Sequence, residues 1–335
     1  MKYTFFGTCF DDIEIQVDCL KSMANQTIPP NELVLVDAST SNSILKILNE
    51  IFNSQKTTII YKKINYPRVK ALNYAISKAS SDYLIRFDSR TRFSKNYAEE
   101  SIKLLNEKNK FRIVAAAVGA RQKCIPANSS KTAKLASELM DRAYVYGNPR
   151  YRRQNYSGEV NSIYLGCFPR KILQETLYRE DVNLISEDSQ ICKDLISKGY
   201  KIFMSENLNL NYLCRDKLYS VIRLFREYGR CRAKTIISTK TTHDNKKFVL
   251  LFIMSFVLPC LIFIFFKNNI FLALMLIILV PFSYNFFYEI NNYGLRKVLY
   301  MPVIALIAQL NWILGFFETL ILYNFIKNKR SNFFK

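Results

Sequence analysis

A stretch without charge near the carboxyl end limits what this chain can fold into more than any other feature. Residues 248–266 contain no charged side chain over about 19 positions, close to the length of helix that crosses the hydrocarbon of a membrane. Residues 270–288 repeat the pattern. A third apolar run, 298–326, is interrupted by Gln309, Asn311, Gly315 and Glu318. We therefore expect a membrane region at 246–335. Buried core helices of a soluble protein are the alternative.

The basic residues of the tail bear on the topology of the third run. Three complete spans would leave Lys327, Lys329, Arg330 and Lys335 outside the cell, against the tendency of basic loops to stay in the cytoplasm. The sequence therefore favours two full spans and a third segment that re-enters the membrane or lies at its interface. A third full span is the other possibility.

The first 245 residues are predicted to stay in the cytoplasm. Acidic residues precede any apolar stretch that could act as a signal peptide. The eight cysteines are scattered singly and form no Cys-x-x-Cys pair, which favours reduced thiols over disulfides or a zinc site. The one histidine, His243, leaves little material for histidine-based catalysis or metal binding.

The net charge of +21 suggests a polyanionic partner. The basic residues are dispersed and no nucleic-acid recognition motif occurs, so the sequence argues against nucleic acid. Attraction to anionic lipids of the cytoplasmic leaflet explains the charge, because apolar segments follow directly. Residues 217–245 begin with a basic amphipathic helix, predicted at 217–237, which is typical of a helix on a membrane surface.

Residues 1–216 alternate between short apolar strands and amphipathic helices. The strands "YTFFGTC", "ELVLVDAS", "TTIIYKK" and "YLIRF" are continuous apolar runs, and helical periodicity separates them. This pattern predicts an α/β domain with a mostly parallel sheet covered by helices on both faces. In such sheets ligands bind beyond the carboxyl ends of the strands.

Two acids stand where such a site would form, and a third begins a helix. Asp37 and Asp88 each follow an apolar strand, and Asp188 lies in the first turn of a helix that Ser186 is predicted to cap. Each also has a plainer explanation. Asp37 can cap the next helix, Asp88 can pair with Arg86 or Arg90, and Asp188 suits a helix start because of the macrodipole.

Six segments occur in an order that resembles the family 2 glycosyltransferases of the GT-A nucleotide-sugar fold. The likeness is greatest to the succinoglycan and exopolysaccharide branch, whose members carry membrane segments at the C-terminus. The matching segments are "TCFDDIEIQVDCLKSMANQT", "LVLVDAST", "RVKALNYAISKASSDYLIRFDS", "SIYLGCFPRKIL", "SEDSQICKDLISKGYKI" and "LFREYGRCRA". They cover roughly residues 4–235. Single motifs of this kind are loose, but their shared order is specific.

The resemblance implies roles for individual residues. Asp188 would be the general base, and Asp88 the metal-binding first acid of a DxD motif. Residues implied to bind the donor are Thr8, Asp12, Asp37, Arg68, Asn73, Asp88 and Arg90. Residues implied to face the acceptor or the diphosphate are Gly166, Glu187, Arg226 and Arg230.

Arg90 departs from the family pattern, because it stands where the second acid of DxD is expected. A hard cation such as Mg²⁺ or Mn²⁺ can bind through one carboxylate plus phosphates and water. Arg90 can supply positive charge to the diphosphate directly. We therefore expect a divalent cation with a weakened requirement. Loss of activity is the rival explanation.

Together these features predict a membrane-anchored, cytoplasm-facing inverting glycosyltransferase. The resemblance implies a nucleotide-sugar donor, with a UDP-sugar favoured, and a polyprenyl-diphosphate-linked saccharide acceptor in capsule or exopolysaccharide synthesis. The alternatives are an inactive membrane scaffold on the same fold, a processive polysaccharide synthase, and a small transporter that uses the polar residues of 298–326. Fold alone does not decide among these.

Overall fold

A computed structural model describes residues 1–10, 13–41, 43–53, 55–110, 114–180, 187–239 and 270–333. The chain divides into two compact units. One comprises Met1–Ser129 and Arg150–Cys214, and the other comprises Ser130–Pro149 and Arg215–Lys335.

The first unit begins with strands and helices in strict alternation, as the sequence predicts. The strands are continuous apolar runs, and the helices bury one face each. The elements are β1 Tyr3–Cys9, α1 Ile13–Ala24, β2 Glu32–Asp37, α2 Ser43–Phe52, β3 Thr58–Lys63, α3 Arg68–Lys78 and β4 Tyr83–Asp88.

The remainder of this unit is less regular. Its elements are β5 Thr91–Phe93, α4 Tyr97–Lys110, β6 Ala115–Ile125, β7 Gly158–Glu159, β8 Gly166–Pro169, α6 Arg170–Glu175, α7 Glu187–Ser197 and β9 Lys201–Leu213. The strand predicted at 112–120 starts later and runs further, and the one predicted at 162–168 is confined to the short β8. In the latter case Leu165 and Gly166 have positive φ, which interrupts extended backbone before β8.

The described strands form one nine-stranded mixed sheet in the order β3-β2-β1-β4-β8-β6-β9-β5, with β7 paired to β9. Strands β1 to β4 are parallel to one another, and β8 runs antiparallel to both β4 and β6. Apolar clusters cover both faces: one is centred on Phe5, Leu35 and Ile85, and the other on Phe6, Leu84 and Ile191. The predicted α/β class with two covered faces is confirmed.

The second unit is helical. It contains α5 Lys131–Asp141, α8 Leu218–Thr239, α9 Ile270–Tyr293 and α10 Met301–Phe333. The sequence predicts one domain over residues 1–216, whereas Ser130–Pro149 groups with the C-terminal helices. The physical reason is local: Arg142 donates to the fully buried Glu289 of α9 at 2.9 Å, and Tyr144 packs on Tyr288.

Only part of the predicted membrane region lies within the described residues. The run at 248–266 lies outside the described residues, and α9 includes the predicted span at 270–288. In the part of the chain that the structure describes, one helical stretch, Met301–Tyr323, is long and apolar enough to cross a membrane. It lies within the predicted third segment, which continues as helix to Phe333.

Candidate active site

The carboxyl ends of three parallel strands bring the first two predicted acids into adjacent positions. Cys9 of β1 lies opposite Asp37 of β2, and Thr8 of β1 lies opposite Asp88 of β4. Parallel strands end at the same edge of a sheet, so Thr8 stands between the two acids. Asp12 lies outside the described residues.

Asp37 is buried, and its carboxylate is held from several directions. It accepts hydrogen bonds from the Tyr61 hydroxyl at 2.5 Å, the Ser39 backbone N–H at 2.8 Å and the Cys9 thiol at 3.1 Å. Burial disfavours the charged form, but the bonds from Ser39 and Tyr61 outweigh it and lower the pKa of Asp37. The side chain is therefore a fixed anion at neutral pH. The side chain is 0% exposed, so a nucleobase could reach it only after the residues that cover it move.

Asp88 pairs with Arg68 and not with Arg86 or Arg90. The Arg68 Nη2 atom lies 2.8 Å from Asp88 Oδ2, and the Arg90 backbone N–H donates to Oδ1 at 3.3 Å. Burial opposes ionisation of Asp88, yet the Arg68 charge prevails and lowers its pKa. Arg68 itself is 47% exposed at the start of α3, so its side chain has room to move when a ligand arrives.

Arg86 is the functional candidate that the sequence analysis did not assign. Its side chain is 1% exposed, and its guanidinium donates to Glu187 at 2.5 Å and to Asp188. Arg68 Nε contacts the same Glu187 oxygen at 2.7 Å. An unbroken chain of alternating charges results, Asp88–Arg68–Glu187–Arg86–Asp188. This row of contacts, here called the ion-pair chain, joins the end of β4 to the first turn of α7.

The local backbone explains why an arginine can occupy this place. Arg86 lies opposite Phe6 of β1 and Gly166 of β8. Gly166 has a φ of 141°, and a Cβ atom there would lie 2.5 Å from Ile163 Cδ1. The position therefore requires glycine, so the predicted Gly166 serves the strand packing beside Arg86.

Asn73 of α3 helps to fix the segment that covers Arg86. Its side chain donates to the Tyr178 carbonyl at 2.8 Å and to Glu180 at 2.9 Å, and it accepts from the Tyr178 backbone N–H at 2.9 Å. The Tyr178 hydroxyl then accepts from Arg86 at 3.3 Å. Asn73, which is predicted to bind the sugar donor, thus holds the backbone of Tyr178, whose hydroxyl contacts Arg86.

Asp188 is the member of the ion-pair chain whose pKa is raised toward neutrality. Burial raises the pKa of Asp188 to about 6, even though the neighbouring Arg86 charge works in the opposite direction. The side chain keeps 22% exposure. The Asp188 carboxylate thus has a pKa near neutrality, is partly exposed to solvent and is held at one oxygen by Arg86. These are the properties of a general base.

Arg226 and Arg230, predicted to face the acceptor or the diphosphate, are paired within the second unit. Both contact Glu318 of α10; Arg226 Nε lies 3.2 Å and Arg230 Nη2 2.9 Å from Glu318 Oε2. Arg230 also contacts Glu227 at 2.6 Å. Their role toward a ligand stays a prediction.

Comparison with protein families resolves the class of the chain. The family described as "Glycosyl transferase family 2" matches residues 11–176, a range that includes β2–β4, both strand-end acids and Gly166. The chain belongs to glycosyltransferase family 2. It is a glycosyltransferase with a mixed α/β sheet of the GT-A kind, as the sequence predicted. The match ends before Asp188, so that residue rests on its own geometry.

Individual relatives of this family 2 glycosyltransferase are distant. It is 22% identical over 233 residues to a Methanococcus voltae dolichyl N-acetyl-alpha-D-glucosaminyl phosphate 3-beta-D-2,3-diacetamido-2,3-dideoxy-beta-D-glucuronosyltransferase, covering 68% of this chain and 71% of the relative. It is 23% identical over 201 residues to the poly-beta-1,6-N-acetyl-D-glucosamine synthase of Staphylococcus epidermidis. That alignment covers 59% of this chain and 47% of the synthase, so the chain spans about half of the synthase's length.

A solved structure supports the fold. The mannosyltransferase of Pyrobaculum calidifontis, determined with GDP-Man and Mn²⁺, superposes with a TM-score of 0.61 at 11% identity, covering 95% of this chain and 87% of that protein. At this identity the likeness concerns the fold alone.

The residues present fit a cation that arrives with its phosphates better than a preformed metal site. Among the described residues no group of three or more His, Cys, Asp or Glu side chains could hold a metal ion. Asp88 offers one carboxylate. Arg90, at the position of the missing acid, directs its guanidinium toward the carbonyls of Leu213 and Cys214, each at 3.4 Å. One carboxylate suffices for Mg²⁺ when phosphates and water complete its shell.

Proposed function

We propose that this glycosyltransferase moves a sugar from a nucleotide-sugar, with a UDP-sugar favoured, to a lipid-linked saccharide at a membrane, with inversion at the anomeric carbon. The observation that carries the proposal is the ion-pair chain, which connects the strand-end acid Asp88 to Asp188. A donor-side acid and an acceptor-side base held in one ion-pair network match what glycosyl transfer needs.

Asp188 acts as the base in this proposal. Its free carboxylate oxygen takes the proton of the acceptor hydroxyl as that oxygen forms a bond to the anomeric carbon. The bond between the anomeric carbon and the diphosphate breaks at the same time, and its electron pair leaves with the nucleoside diphosphate. Arg86 holds the other oxygen of Asp188, so the base cannot rotate away during the proton transfer.

Positive charge stabilises the departing diphosphate. Arg68 and Arg90 lie next to Asp88 in space or in sequence, and both can turn their guanidinium groups toward phosphate oxygens. A divalent cation, Mg²⁺ or Mn²⁺, held by Asp88 and the donor phosphates, would add further charge at the leaving group. Asp37 is proposed to recognise the nucleobase, and Thr8 lies between the two acids to contact the donor.

Several features support a lipid-linked acceptor in capsule or exopolysaccharide synthesis. One relative is named for a dolichyl-linked sugar phosphate, and another for synthesis of a polysaccharide. The long apolar runs at 248–266 and 270–288 and the net charge of +21 suit a multi-pass protein whose catalytic domain faces the anionic cytoplasmic leaflet. A polyprenyl-diphosphate-linked saccharide is the acceptor chemistry that such an enzyme would meet.

A processive synthase is the second candidate, because similarity extends to a poly-N-acetylglucosamine synthase. The two candidates differ in product length. The first adds one sugar to each acceptor, whereas a synthase releases a ladder of longer products.

The test incubates membranes containing the enzyme with a panel of radiolabelled UDP- and GDP-sugars and polyprenyl-diphosphate-linked acceptors. The expected result is a lipid-extractable product one sugar longer than its acceptor, formed with one donor class and absent with Asp188→Asn. Label that enters only long, water-soluble polymer would favour the synthase. Label in no product with any donor, while UDP still binds, would contradict the proposed transfer.

A further inference from the structure

The apolar stretch Met301–Tyr323 of α10 passes the length and hydropathy test for a membrane span, but its contacts argue against a crossing. Trp312 is the midpoint of this stretch and would lie near the bilayer centre if the helix crossed. Any residue that contacts α10 around Trp312 would then also lie near the bilayer centre.

Two glycines bring α8 and α10 into backbone contact at this midpoint. A Cβ atom on Gly229 would lie 1.9 Å from the Trp312 carbonyl oxygen, and one on Gly315 would lie 2.1 Å from the Arg226 carbonyl oxygen. Neither position tolerates a side chain. The close approach fixes one turn of α8, around Arg226 and Gly229, beside the middle of the apolar stretch.

That turn of α8 carries charge. Arg226 and Arg230 both pair with Glu318, and the three side chains are 38%, 37% and 33% exposed. Glu318 lies six residues beyond Trp312, about 9 Å along the helix axis. Charged residues recur throughout this part of α8, at Arg223, Arg226, Glu227, Arg230, Arg232 and Lys234.

A crossing α10 would carry this part of α8 into the hydrocarbon. Charges at the bilayer centre are unfavourable, and those that occur there face a protein interior or a water-filled cavity. Arg226, Arg230 and Glu318 are instead part-exposed on the second unit. A position at the membrane surface keeps the same ion pairs and leaves the arginines in the headgroup region, where long basic side chains are favourable.

A second face of α10, whose edge adjoins Glu318, has the character of a lipid-facing surface. Val303, Ile307, Leu314 and Ile321 are exposed and lie within an arc of about 40°, at about 100° per residue. Ala305 and Ala308, roughly opposite, are fully buried. One apolar stripe and one packed face are the pattern of an interfacial helix.

We propose that α10 lies in the plane of the membrane interface beside α8, with the stripe Val303–Ile307–Leu314–Ile321 inserted among the acyl chains of one leaflet. The occupant of the stripe is lipid, because the same chain carries an uncharged run at 248–266 and a strongly basic α8 suited to anionic headgroups. The inference is independent of the donor and of turnover.

Trp312, the sole tryptophan of the chain, stacks on the buried Phe316 at 5.5 Å on the face of α10 away from the stripe. The depth reporter is therefore moved to the exposed stripe in the double variant Trp312→Phe/Leu314→Trp. This full-length variant is reconstituted in vesicles of phosphatidylcholine and phosphatidylglycerol that contain lipids spin-labelled either near the carbonyl group or near the terminal methyl group. An in-plane α10 predicts that the shallow label quenches the introduced tryptophan several-fold more strongly than the deep label. Stronger quenching by the deep label would overturn the proposal. Equal absence of quenching by both labels would also overturn it, because a second copy or another protein would then cover the stripe.

A labelling experiment separates an in-plane helix from the remaining topologies. Leu299 and Leu322 are exposed near the two ends of the stretch. In Leu299→Cys and Leu322→Cys, measured above the wild-type background, a membrane-impermeant maleimide is expected to react with both positions from the same side of the membrane. Reaction from opposite sides would demonstrate a span. Reaction from the same side together with a deep reporter tryptophan would demonstrate a re-entrant segment, and either result contradicts the proposal.

Discussion

Replacing Arg86 by methionine is the perturbation whose consequences the structure specifies most fully. The guanidinium is 1% exposed and forms ion pairs with two carboxylates, Glu187 and Asp188. Methionine fills much of the volume but leaves both acids without their buried partner. Removing one side of a buried ion pair costs about 3–5 kcal/mol. We expect the free energy of unfolding of Arg86→Met to fall by about that amount at pH 8.

The pH dependence distinguishes lost charge from lost packing. Burial holds the pKa of Asp188 at about 6, above its ordinary value of 3.8. Such a group stabilises the fold fully below its unfolded pKa, and this contribution is lost as pH rises through the folded pKa. Without Arg86 the pKa of Asp188 rises further, so the deficit of Arg86→Met should be largest at pH 8 and shrink toward pH 4.

The assay is denaturant unfolding of the detergent-solubilised enzyme, followed by circular dichroism at pH 8 and pH 4. Lys201→Met is the control, since Lys201 pairs with Glu159 at 3.0 Å with both side chains about half exposed, and such surface pairs contribute about 0–1 kcal/mol. A deficit for Arg86→Met equal at both pH values would show that packing alone is lost. A deficit no larger than that of Lys201→Met would refute the buried network.

Three further outcomes follow from the described contacts. Asp37→Ala should weaken UDP binding measured by calorimetry, and an unchanged affinity would remove Asp37 from the donor site. Arg90→Asp should lower donor turnover at low Mg²⁺ or Mn²⁺. Much of the turnover should return at saturating metal, because a bound divalent cation supplies more charge than one arginine. If Arg90→Ala leaves the metal titration and the UDP affinity unchanged, Arg90 has no part in the diphosphate site. Gly229→Ala should lower the melting temperature by forcing α8 away from Trp312, and an unchanged melting temperature would show that the two helices are not in backbone contact.

The sequence allowed the parallel strands and their terminal acids to be predicted, because these depend on local patterns. An apolar run such as "YLIRF" specifies a buried strand wherever it occurs, and Asp88 follows it directly. The sequence also contained a usable signal for β9, in which Leu208 and Leu210 are buried between asparagines at 207, 209 and 211. That alternation is typical of a strand with one covered face.

The role of Arg86 could not be predicted in the same way. A lone arginine within an apolar strand does indicate that a buried partner exists, since buried charges are paired. Its partners, Glu187 and Asp188, are about a hundred residues away in the chain, and only the packing of α7 on the sheet brings them together. For Asp88 the sequence offers a neighbour, Arg86 or Arg90, as a possible partner, whereas Arg68 reaches it from the start of α3.

The central claim is that Asp188 removes the proton of the acceptor hydroxyl, and Asp188→Asn tests it most directly. Transfer rate and UDP affinity are measured for the wild type, for Asp188→Asn and for Asp194→Asn, a control on the same helix whose acid accepts from Gln190 at 2.9 Å. We expect the rate to fall by about 10²–10⁴-fold for Asp188→Asn only, with UDP affinity nearly unchanged. An Asp188→Asn enzyme that kept more than a tenth of the wild-type rate would contradict the account and place the base elsewhere.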